Sequence, residues 1–436
     1  MSRGMVLASV LVATLAACSD DDEDRLAGER APLRPAAEAG DVSATEIRPI
    51  PPARPAGDWT QVGGGPERSG GHLAAPSSLS LAWSVEAGEP VGERVAGGGP
   101  IVVDDAVFLR DGASAVLAFD AASGRRLWRT DLTPEGEDAD AGHGGGVALA
   151  DGVLAATTGF GEIAGLDPAT GEVRWRRRAN APFRSAPAAG EGLAVAVTRA
   201  NRALAADLAT GEPRWTVESV LGRSGSLRGS APALARGVAV VPYHSGELQL
   251  VRSEPGLTVW SQTLISPSSA EGMGAFPDVT SAPVIGRSPE GAPIIVAGNA
   301  GGALEAFEGT SGRRLWRREF GSLSPVWTAE GSLFVATTEP RLLRLDLMTG
   351  RTLWAVTLDP YEDPEDREGS ITYAGPVLAG GRLLTASTDG RLLAHDPETG
   401  AELSVTDLPT GASAGPVVAG GTVYLLADGG RLLAFR

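Results

Sequence analysis

Short runs rich in apolar residues, each about five residues long, follow one another along most of the chain. Examples are residues 153–157, 333–337 and 423–427, and turn-forming pairs such as Gly-Gly, Asp-Gly and Thr-Gly separate the runs. This pattern is typical of β-strands joined by tight turns. No stretch of a dozen residues carries a sustained helical period. The sequence therefore predicts an all-β protein.

One motif recurs in the chain: an apolar pair, Asp, two residues, Ser or Thr, Gly, three residues and Trp. Clear copies end at Trp128, Trp175, Trp215, Trp316 and Trp354, and weaker copies end at Trp260 and Ser404. The copies lie roughly 40 to 55 residues apart, a period typical of propellers or solenoids. The Asp caps a tight turn, and the Gly adopts the positive φ that closes it. Each copy therefore predicts a four-stranded blade whose last strand carries a Trp that wedges against the next blade.

The two ends of the chain complete one blade between them. After Leu408 the chain provides three strands and stops at Arg436, and residues 81–84 supply a fourth strand that resembles a repeat terminus. Pairing the two ends gives eight blades of about 44 residues each and removes an exposed sheet edge. We predict an eight-bladed β-propeller of four-stranded antiparallel blades over residues 58–436, closed by the N-terminal strand.

The amino end has the layout of a lipoprotein signal peptide. Residues 1–17 contain an early Arg, a short apolar stretch and small residues before Cys18. The sequence Leu-Ala-Ala-Cys ending at Cys18 resembles the lipobox of bacterial lipoproteins, which implies that the Cys18 thiol is acylated and anchors the chain. Ser19 follows where Asp usually signals retention in the inner membrane, so the resemblance implies the periplasmic face of the outer membrane. Residues 18–57 are acidic and rich in Pro, which predicts a disordered tether.

Composition narrows the possible partners and cofactors. The 54 acidic against 37 basic residues give a net charge of −17, which disfavours nucleic acid and anionic lipid headgroups as partners. One Cys excludes an intrachain disulfide and a Cys-based metal site. The four His have no paired ligand spacing, so we predict no metal and no cofactor. The acidic residues 359–366 either chelate a hard cation or form a solvated loop between blades, and their spacing favours the loop.

The Asp-x-x-Thr-Gly-x-x-x-Trp repeat resembles that of pyrroloquinoline-quinone-type propellers, and two classes of protein share it. A quinoprotein dehydrogenase would need a metal beside the quinone, an Asp base and commonly a vicinal cysteine pair, and a single Cys cannot form that pair. The BamB family, the lipoprotein scaffold of the outer-membrane β-barrel assembly machine, resembles nearly the whole mature chain. The resemblance covers the lipobox, residues 59–64 leading to residues 71–73, the closing strand at Trp83 and the eight blades.

Two loops carry the more specific resemblance to the BamB family. Residues 226–232, Ser-Leu-Arg-Gly-Ser-Ala-Pro, and residues 278–283, Asp-Val-Thr-Ser-Ala-Pro, are similar to the family's two loops that contact the third POTRA domain of BamA. The resemblance implies Leu227, Arg228 and Asp278 as BamA contacts. Two other positions differ from the family: its first Leu is Gly225 here, and its second Asp is Thr280.

The repeat places both loops at equivalent positions of consecutive blades, where an outer strand connects to the next inner strand. They must therefore lie side by side on one face, which also receives most long insertions and is the expected interaction surface. An Arg flanked by Leu and facing an Asp suits an interface anchor. Alternatively, Arg228 and Asp278 tie neighbouring blades together.

The function that follows is a non-enzymatic scaffold for outer-membrane protein assembly. Its expected partners are the POTRA region of BamA, other subunits of the barrel assembly machine, and unfolded outer-membrane proteins. Nascent strands are expected to add to exposed blade edges by β-augmentation. A quinoprotein dehydrogenase and a propeller lipoprotein of another envelope complex are the alternatives.

Overall fold

The computed structural model describes residues 49–89, 98–221, 229–264 and 277–436. In these residues the chain forms eight four-stranded antiparallel sheets and one two-stranded hairpin. Inner strands of neighbouring sheets contact each other around the ring, and the inner strand of the first sheet meets that of the last. The predicted all-β, eight-bladed propeller is confirmed.

The first strand in the chain, β1 (Leu81–Glu86), belongs to the last blade. Blade 1 contains β2 (Ile101–Val103), β3 (Ala106–Arg110), β4 (Ala115–Asp120) and β5 (Arg126–Asp131). A short 3-10 helix (Ala139–Ala141) leads to blade 2, which contains β6 (Gly145–Ala150), β7 (Val153–Thr158), β8 (Glu162–Leu166) and β9 (Val173–Arg178). Blade 3 contains β10 (Ala188–Gly190), β11 (Leu193–Val197), β12 (Arg202–Asp207) and β13 (Pro213–Glu218). Blade 4 contains β14 (Ala233–Ala235), β15 (Val238–Pro242), β16 (Glu247–Arg252) and β17 (Thr258–Thr263).

The second half of the ring repeats this order from the inner to the outer strand. Blade 5 contains β18 (Val279–Arg287), β19 (Pro293–Asn299), β20 (Ala303–Glu308) and β21 (Arg314–Arg318). Blade 6 contains β22 (Trp327–Ala329), β23 (Ser332–Ala336), β24 (Arg341–Asp346) and β25 (Thr352–Thr357). The hairpin β26 (Tyr361–Asp363) and β27 (Glu368–Ser370) follows. Blade 7 contains β28 (Tyr373–Ala379), β29 (Arg382–Ser387), β30 (Arg391–His395) and β31 (Glu402–Asp407), and blade 8 contains β32 (Val417–Ala419), β33 (Thr422–Ala427) and β34 (Arg431–Phe435).

The ends of the propeller meet in blade 8 as the sequence predicts. Strand β1 pairs antiparallel with β34, with Trp83 opposite Ala434. The backbone N–H groups of Ser80 and Arg436 each donate to the carbonyl of the other at 2.9 Å. The closing strand therefore joins the two ends of the chain by hydrogen bonds, and this confirms the predicted closure.

The repeated motif forms the predicted turn and the predicted contact between blades. In blade 3 the Asp207 carboxylate accepts hydrogen bonds from the Thr210 N–H at 2.9 Å and the Thr210 hydroxyl at 3.0 Å, and Gly211 has a φ of 72°. In seven blades the indole N–H of the motif Trp donates to a carbonyl of the next blade. The pairs are Trp83–Ala121, Trp128–Pro168, Trp175–Leu208, Trp215–Ser253, Trp260–Gly309, Trp316–Leu347 and Trp354–Pro397.

An N-terminal strap, residues 50–75, runs across one end of the ring and bonds to blade after blade. Ala56 accepts a hydrogen bond from Gly420 of blade 8, Trp59 pairs with Val102 of blade 1, and Thr60 accepts from Leu149 of blade 2. Further along, Leu73 pairs with Leu378 and Gly380 of blade 7. The strap therefore links blades that are far apart in sequence and covers one end of the central channel.

The strap also moves the predicted boundary between tether and propeller. Arg54, which the sequence assigns to a tether ending at residue 57, forms a bridge with Leu73, and Ile50 and Ala56 pack against the main hydrophobic core. Composition missed this because the strap is held largely by backbone hydrogen bonds, which leave no apolar period. The propeller-bound chain thus begins before residue 58. The predicted signal peptide, Cys18 and tether residues up to 48 lie outside the described residues and stay predictions.

Candidate functional site

The strand order gives the ring two different faces. The connections from each outer strand to the next inner strand all emerge at one end, opposite the strap. We call this end the loop face and define it by its described residues, which are 87–89, 98–100, 132–144, 179–187, 219–221, 229–232, 264, 277–278, 319–326, 358–372 and 408–416. The connections from blade 3 to blade 4 and from blade 4 to blade 5 are neighbours on it. The first predicted contact loop, residues 226–232, falls in the former connection. Of the second predicted loop, residues 278–283, only Asp278 precedes β18, and residues 279–283 form the start of that inner strand instead of a loop.

The structure describes only one of the three predicted contact residues. Leu227 and Arg228 lie outside the described residues. Asp278 is described, immediately before β18, and only 1% of its side chain is exposed. A carboxylate buried to this extent cannot offer a free surface charge. The carboxylate turns into the protein, and the role of Asp278 in binding BamA stays a prediction.

The Asp278 carboxylate lies beside a histidine of the neighbouring blade. Its Oδ2 is 3.5 Å from Nδ1 of His244, which lies in the turn between β15 and β16. Arg184, before β10, places its Nη1 2.9 Å from the same ring nitrogen. Burial lowers the pKa of the Arg184 guanidinium to about 10, although the nearby Asp278 charge opposes this change. Residues from blades 3, 4 and 5 thus meet in one polar cluster beneath the loop face.

A second residue ties the other loop to the same histidine. The side-chain amide of Asn201 donates to the Val220 carbonyl at 2.6 Å, and its oxygen accepts from the His244 backbone N–H at 2.9 Å. Asn201 is 1% exposed. Asn201 therefore connects His244 to the start of the first loop, and Asp278 connects His244 to the end of the second loop. The two connections share one polar support.

Glu247 fixes the base of the first loop from below. Its carboxylate accepts hydrogen bonds from the hydroxyls of Ser219 and Ser261 and, at 2.9 Å, from the Gln249 amide. Burial alone would raise the pKa of Glu247, but these three hydrogen bonds outweigh it and hold the pKa below the usual value. Glu247 is therefore a charged anchor that joins Ser219, at the start of the first loop, to the outer strand of blade 4.

Two large apolar side chains stand exposed where the first loop begins. Val220 is 73% exposed and Leu221 is 76% exposed, more than any other large apolar side chain among the described residues. Adjacent exposed apolar residues on a fixed base are typical of binding surfaces. Sequence reasoning missed this pair and the supports Asn201, His244 and Glu247. An apolar pair directly after an alternating strand was the one available signal.

The remaining polar features of the loop face do not form a metal site. The acidic segment after residue 358 forms the hairpin β26–β27, whose side chains are largely exposed, as the predicted loop between blades requires. Among the described residues, no group of three or more His, Cys, Asp or Glu side chains converges to hold a metal ion. No helix in the same part of the chain is long and apolar enough to cross a membrane.

A cavity of about 140 Å³ opens at the centre of the loop face. It is lined by the residues that begin the inner strands, and its floor is formed by Trp59 of the strap and Trp327 of blade 6. These two rings stack with centroids 5.7 Å apart and planes at 10°. The strap thus closes the channel on one side and leaves a small cavity on the other.

The fold and its repeat define the chain as a PQQ-like repeat propeller. A family model described as outer membrane protein assembly factor BamB matches residues 68–140, 112–356 and 348–436. The outer membrane protein assembly factor BamB of Salmonella typhimurium is 32% identical over 314 residues, which cover 71% of this chain and 76% of that protein. This chain belongs to the outer membrane protein assembly factor BamB family.

Solved structures agree with this fold. The crystal structure of BamB from Moraxella catarrhalis matches with a TM-score of 0.63 at 17% identity, over 83% of this chain and 98% of that chain. A europium-containing methanol dehydrogenase matches with a TM-score of 0.70 at 14% identity, over 87% of this chain and 98% of that chain. At such identities the likeness shows the fold alone, because proteins of different function share the propeller.

Proposed function

We propose that this chain is a non-enzymatic scaffold for the assembly of outer-membrane proteins. It is held at the periplasmic face of the outer membrane by acyl chains on Cys18, and its loop face binds the POTRA region of BamA. In this position, with the other subunits of the barrel assembly machine, it assists the folding and insertion of unfolded β-barrel proteins. Membership of the BamB family supports the general role.

The shared support of the two loops is the observation that carries the BamA proposal. Asn201, in the turn between β11 and β12, bonds to Val220 of the first connection and to His244, and Asp278 of the second connection lies beside His244, so the loops have a fixed spacing at their base. A pre-organised surface loses less entropy when a partner binds. The exposed pair Val220 and Leu221 adds an apolar contact beside the predicted contacts Leu227 and Arg228.

Asp278 has a positioning role in this proposal. Its buried carboxylate holds the end of the second loop against His244, so its effect on BamA is transmitted through loop geometry. Replacing one member of a buried polar cluster commonly costs about 1–3 kcal/mol because the neighbouring polar groups are left unsatisfied. Asp278→Asn therefore weakens BamA binding and lowers stability together, whereas surface substitutions weaken binding alone.

A pull-down with purified BamA POTRA domains tests the assignment. We expect Leu227→Ala with Arg228→Ala, and separately Val220→Ser with Leu221→Ser, to lower recovery of the POTRA domains by at least about tenfold. Leu257→Ser is the matched control, since Leu257 is also an exposed apolar residue, 60% exposed, but lies outside the loop face. Wild-type recovery by both double variants, with unchanged unfolding midpoints, would remove this surface from the proposal.

The anchor is tested separately from the partner. Cys18→Ser removes the thiol that carries the acyl chains, and stable anchoring requires more than one chain. We expect the variant to leave the membrane fraction while the purified protein still binds POTRA domains. Retention of Cys18→Ser in the outer membrane would show that another element holds the chain there.

Unfolded barrel strands are proposed to pair with exposed blade edges. In blade 7 the motif Trp is replaced by Ser404, and the outer strand β31 exposes Leu403 by 52% and Val405 by 41%. An apolar edge strand with unpaired backbone groups is a template for an added strand. The outer strands of some other blades carry Arg side chains, for example Arg126 and Arg129 in β5 and Arg174 and Arg176 in β9, which discourage such pairing.

A further inference from the structure

The two ends of the strap meet each other on blade 7. Arg54, near the start of the strap, donates its backbone N–H to the His72 carbonyl at 2.9 Å, and Ala74 donates to the Arg54 carbonyl at 2.6 Å. Leu73 accepts a hydrogen bond from the Gly380 N–H of blade 7 at 2.8 Å. The start of the strap is therefore held by the end of the strap, and that end is held by the first turn of blade 7.

The imidazole of His72 joins these three segments. Its Nδ1 lies 2.6 Å from the carbonyl oxygen of Pro51, at the start of the strap. Its Nε2 lies 2.8 Å from the backbone nitrogen of Gly381, in the turn between β28 and β29. A carbonyl oxygen can only accept a hydrogen bond and a backbone N–H can only donate one. Nδ1 therefore carries the proton, Nε2 presents its lone pair, and the ring is neutral.

A protonated ring does not fit this arrangement. Both nitrogens of an imidazolium are donors, so a proton added at Nε2 would face the Gly381 N–H, and the hydrogen bond between them would be lost. His72 is 8% exposed, so water has little access to replace that bond. A histidine in the unfolded chain takes up its proton near pH 6.5. Because the folded arrangement requires the neutral ring, its stability is present at neutral pH and falls as the pH drops below about 6.5.

Three charged side chains lie on the segments packed around the ring: Arg54, Arg382 and Glu398. Arg54 and Arg382 are cations, which repel an added positive charge. The Glu398 carboxylate would attract such a charge, but it forms an ion pair with Arg344 at 3.1 Å and accepts the Ile50 N–H at 2.8 Å. This carboxylate is therefore not free to pair with a protonated ring.

We propose that His72 is a pH-sensitive latch, which holds the two ends of the strap on blade 7 when it is neutral and releases them when it takes up a proton. The middle of the strap stays in place, because Trp59 pairs with Val102 through the backbone and stacks on Trp327, and neither contact titrates. The released part includes residues 50–54, through which the predicted tether joins the propeller. Acidification therefore loosens the point where the anchor is attached. The latch is independent of BamA binding, since it uses none of the predicted contacts.

Hydrogen exchange of the purified full chain, followed by mass spectrometry, tests the opening. Between about pH 7.5 and about pH 5.5, we expect the protection factors of amides in residues 50–54 and 71–75 to fall at least about tenfold, because a buried hydrogen bond is lost. Strand β2 should keep its protection. His72→Gln should stay protected at both pH values, since its carboxamide offers one donor and one acceptor and does not titrate. His143→Gln, at an exposed position, is the matched control and should open as the wild type does.

Full protection of the wild type at the lower pH, or an equal loss in the wild type and His72→Gln, overturns the proposal. If His72→Gln is open already at neutral pH, nitrogen NMR of protein labelled on histidine decides. The chain has four His, and the signal missing from His72→Gln assigns His72. We expect the ring to be neutral and protonated on Nδ1 at about pH 7.5, and to become an imidazolium over the pH range in which protection is lost. The opposite tautomer, or a ring that stays neutral at about pH 5.5, contradicts the latch.

Discussion

The indole ring of Trp175 in blade 2 covers the α-carbon of Gly211 in blade 3. A Cβ added to Gly211 would lie 2.5 Å from the ring, and the same indole donates its N–H to the Leu208 carbonyl at 3.0 Å. Equivalent pairs join the other blades, for example Trp128 with Gly171 and Trp316 with Gly350. The Gly of the repeat therefore serves two purposes: it closes its own turn with a positive φ and receives the Trp of the preceding blade.

Gly211→Ala tests this contact. The substitution places a Cβ in the left-handed region, at a cost of about 1–2 kcal/mol, and against the Trp175 ring, at a further cost of about 1–3 kcal/mol. Gly192→Ala in the same blade is the matched control, because Gly192 has a φ of 73° and nothing within 4 Å of its added Cβ. We expect urea unfolding to show a larger loss for Gly211→Ala, and equal losses would mean that the ring contact is unimportant.

The sequence predicts the features that depend on the local repeat motif, and it does not predict contacts between distant parts of the chain. Asp207 and Gly211 lie in one copy of the repeat and obey local turn chemistry, and Trp175 holds the last position of the preceding copy. The motif therefore predicts the blades and their contacts. The strap obeys no such period, since Trp59 and Leu73 pair with strands more than forty residues away through their backbones. The burial of Asp278 depends on His244 of another blade, which no local pattern reveals.

The aromatic floor of the channel should fasten the strap. Trp59 is buried and stacks on Trp327, so Trp59→Ala is expected to cost about 3–5 kcal/mol. In a double-mutant cycle with Trp327→Ala, the ring pair should show a coupling of about 0.5–1.5 kcal/mol. Urea unfolding of the four proteins measures both values. Strictly additive losses would show that the two rings act separately.

His395 gives the propeller a calculable pH dependence. It is 1% exposed at a position where Phe119, Phe307 and Phe435 stand in other repeats, and burial lowers its pKa below the usual 6.5, partly opposed by Glu402. The unfolded chain therefore takes up this proton first, and stability falls as the pH falls below about 6.5. Each unit of pKa difference corresponds to about 1.4 kcal/mol.

His395→Phe should flatten this part of the stability profile. Urea unfolding at intervals from about pH 7.5 to about pH 5.5 compares the variant with wild type, and the predicted difference grows toward the acidic end. His143→Phe, at an exposed position, is the matched control and should leave the profile unchanged. If His395→Phe keeps the wild-type dependence of the free energy of unfolding on pH, another group takes up the proton.

Substitutions on the exposed outer strand of blade 7 test whether unfolded barrel strands bind there. Leu403→Lys places a charge on β31, where charged residues hinder strand addition, and should weaken binding of an extended barrel-strand peptide roughly tenfold. Leu127→Lys is the matched control, because Leu127 is 43% exposed on β5 between Arg126 and Trp128. Fluorescence anisotropy with a labelled peptide measures both. An equal effect of the two substitutions would argue against a special role for blade 7.

Co-purification from native membranes tests the central claim most directly. The full chain, tagged at its C-terminus and extracted with mild detergent, should carry BamA with it in nearly equal amounts. The Val220→Ser and Leu221→Ser double variant should remain anchored and lose most of the BamA. Recovery of a different envelope complex, with BamA absent from the anchored wild-type protein, would contradict the account.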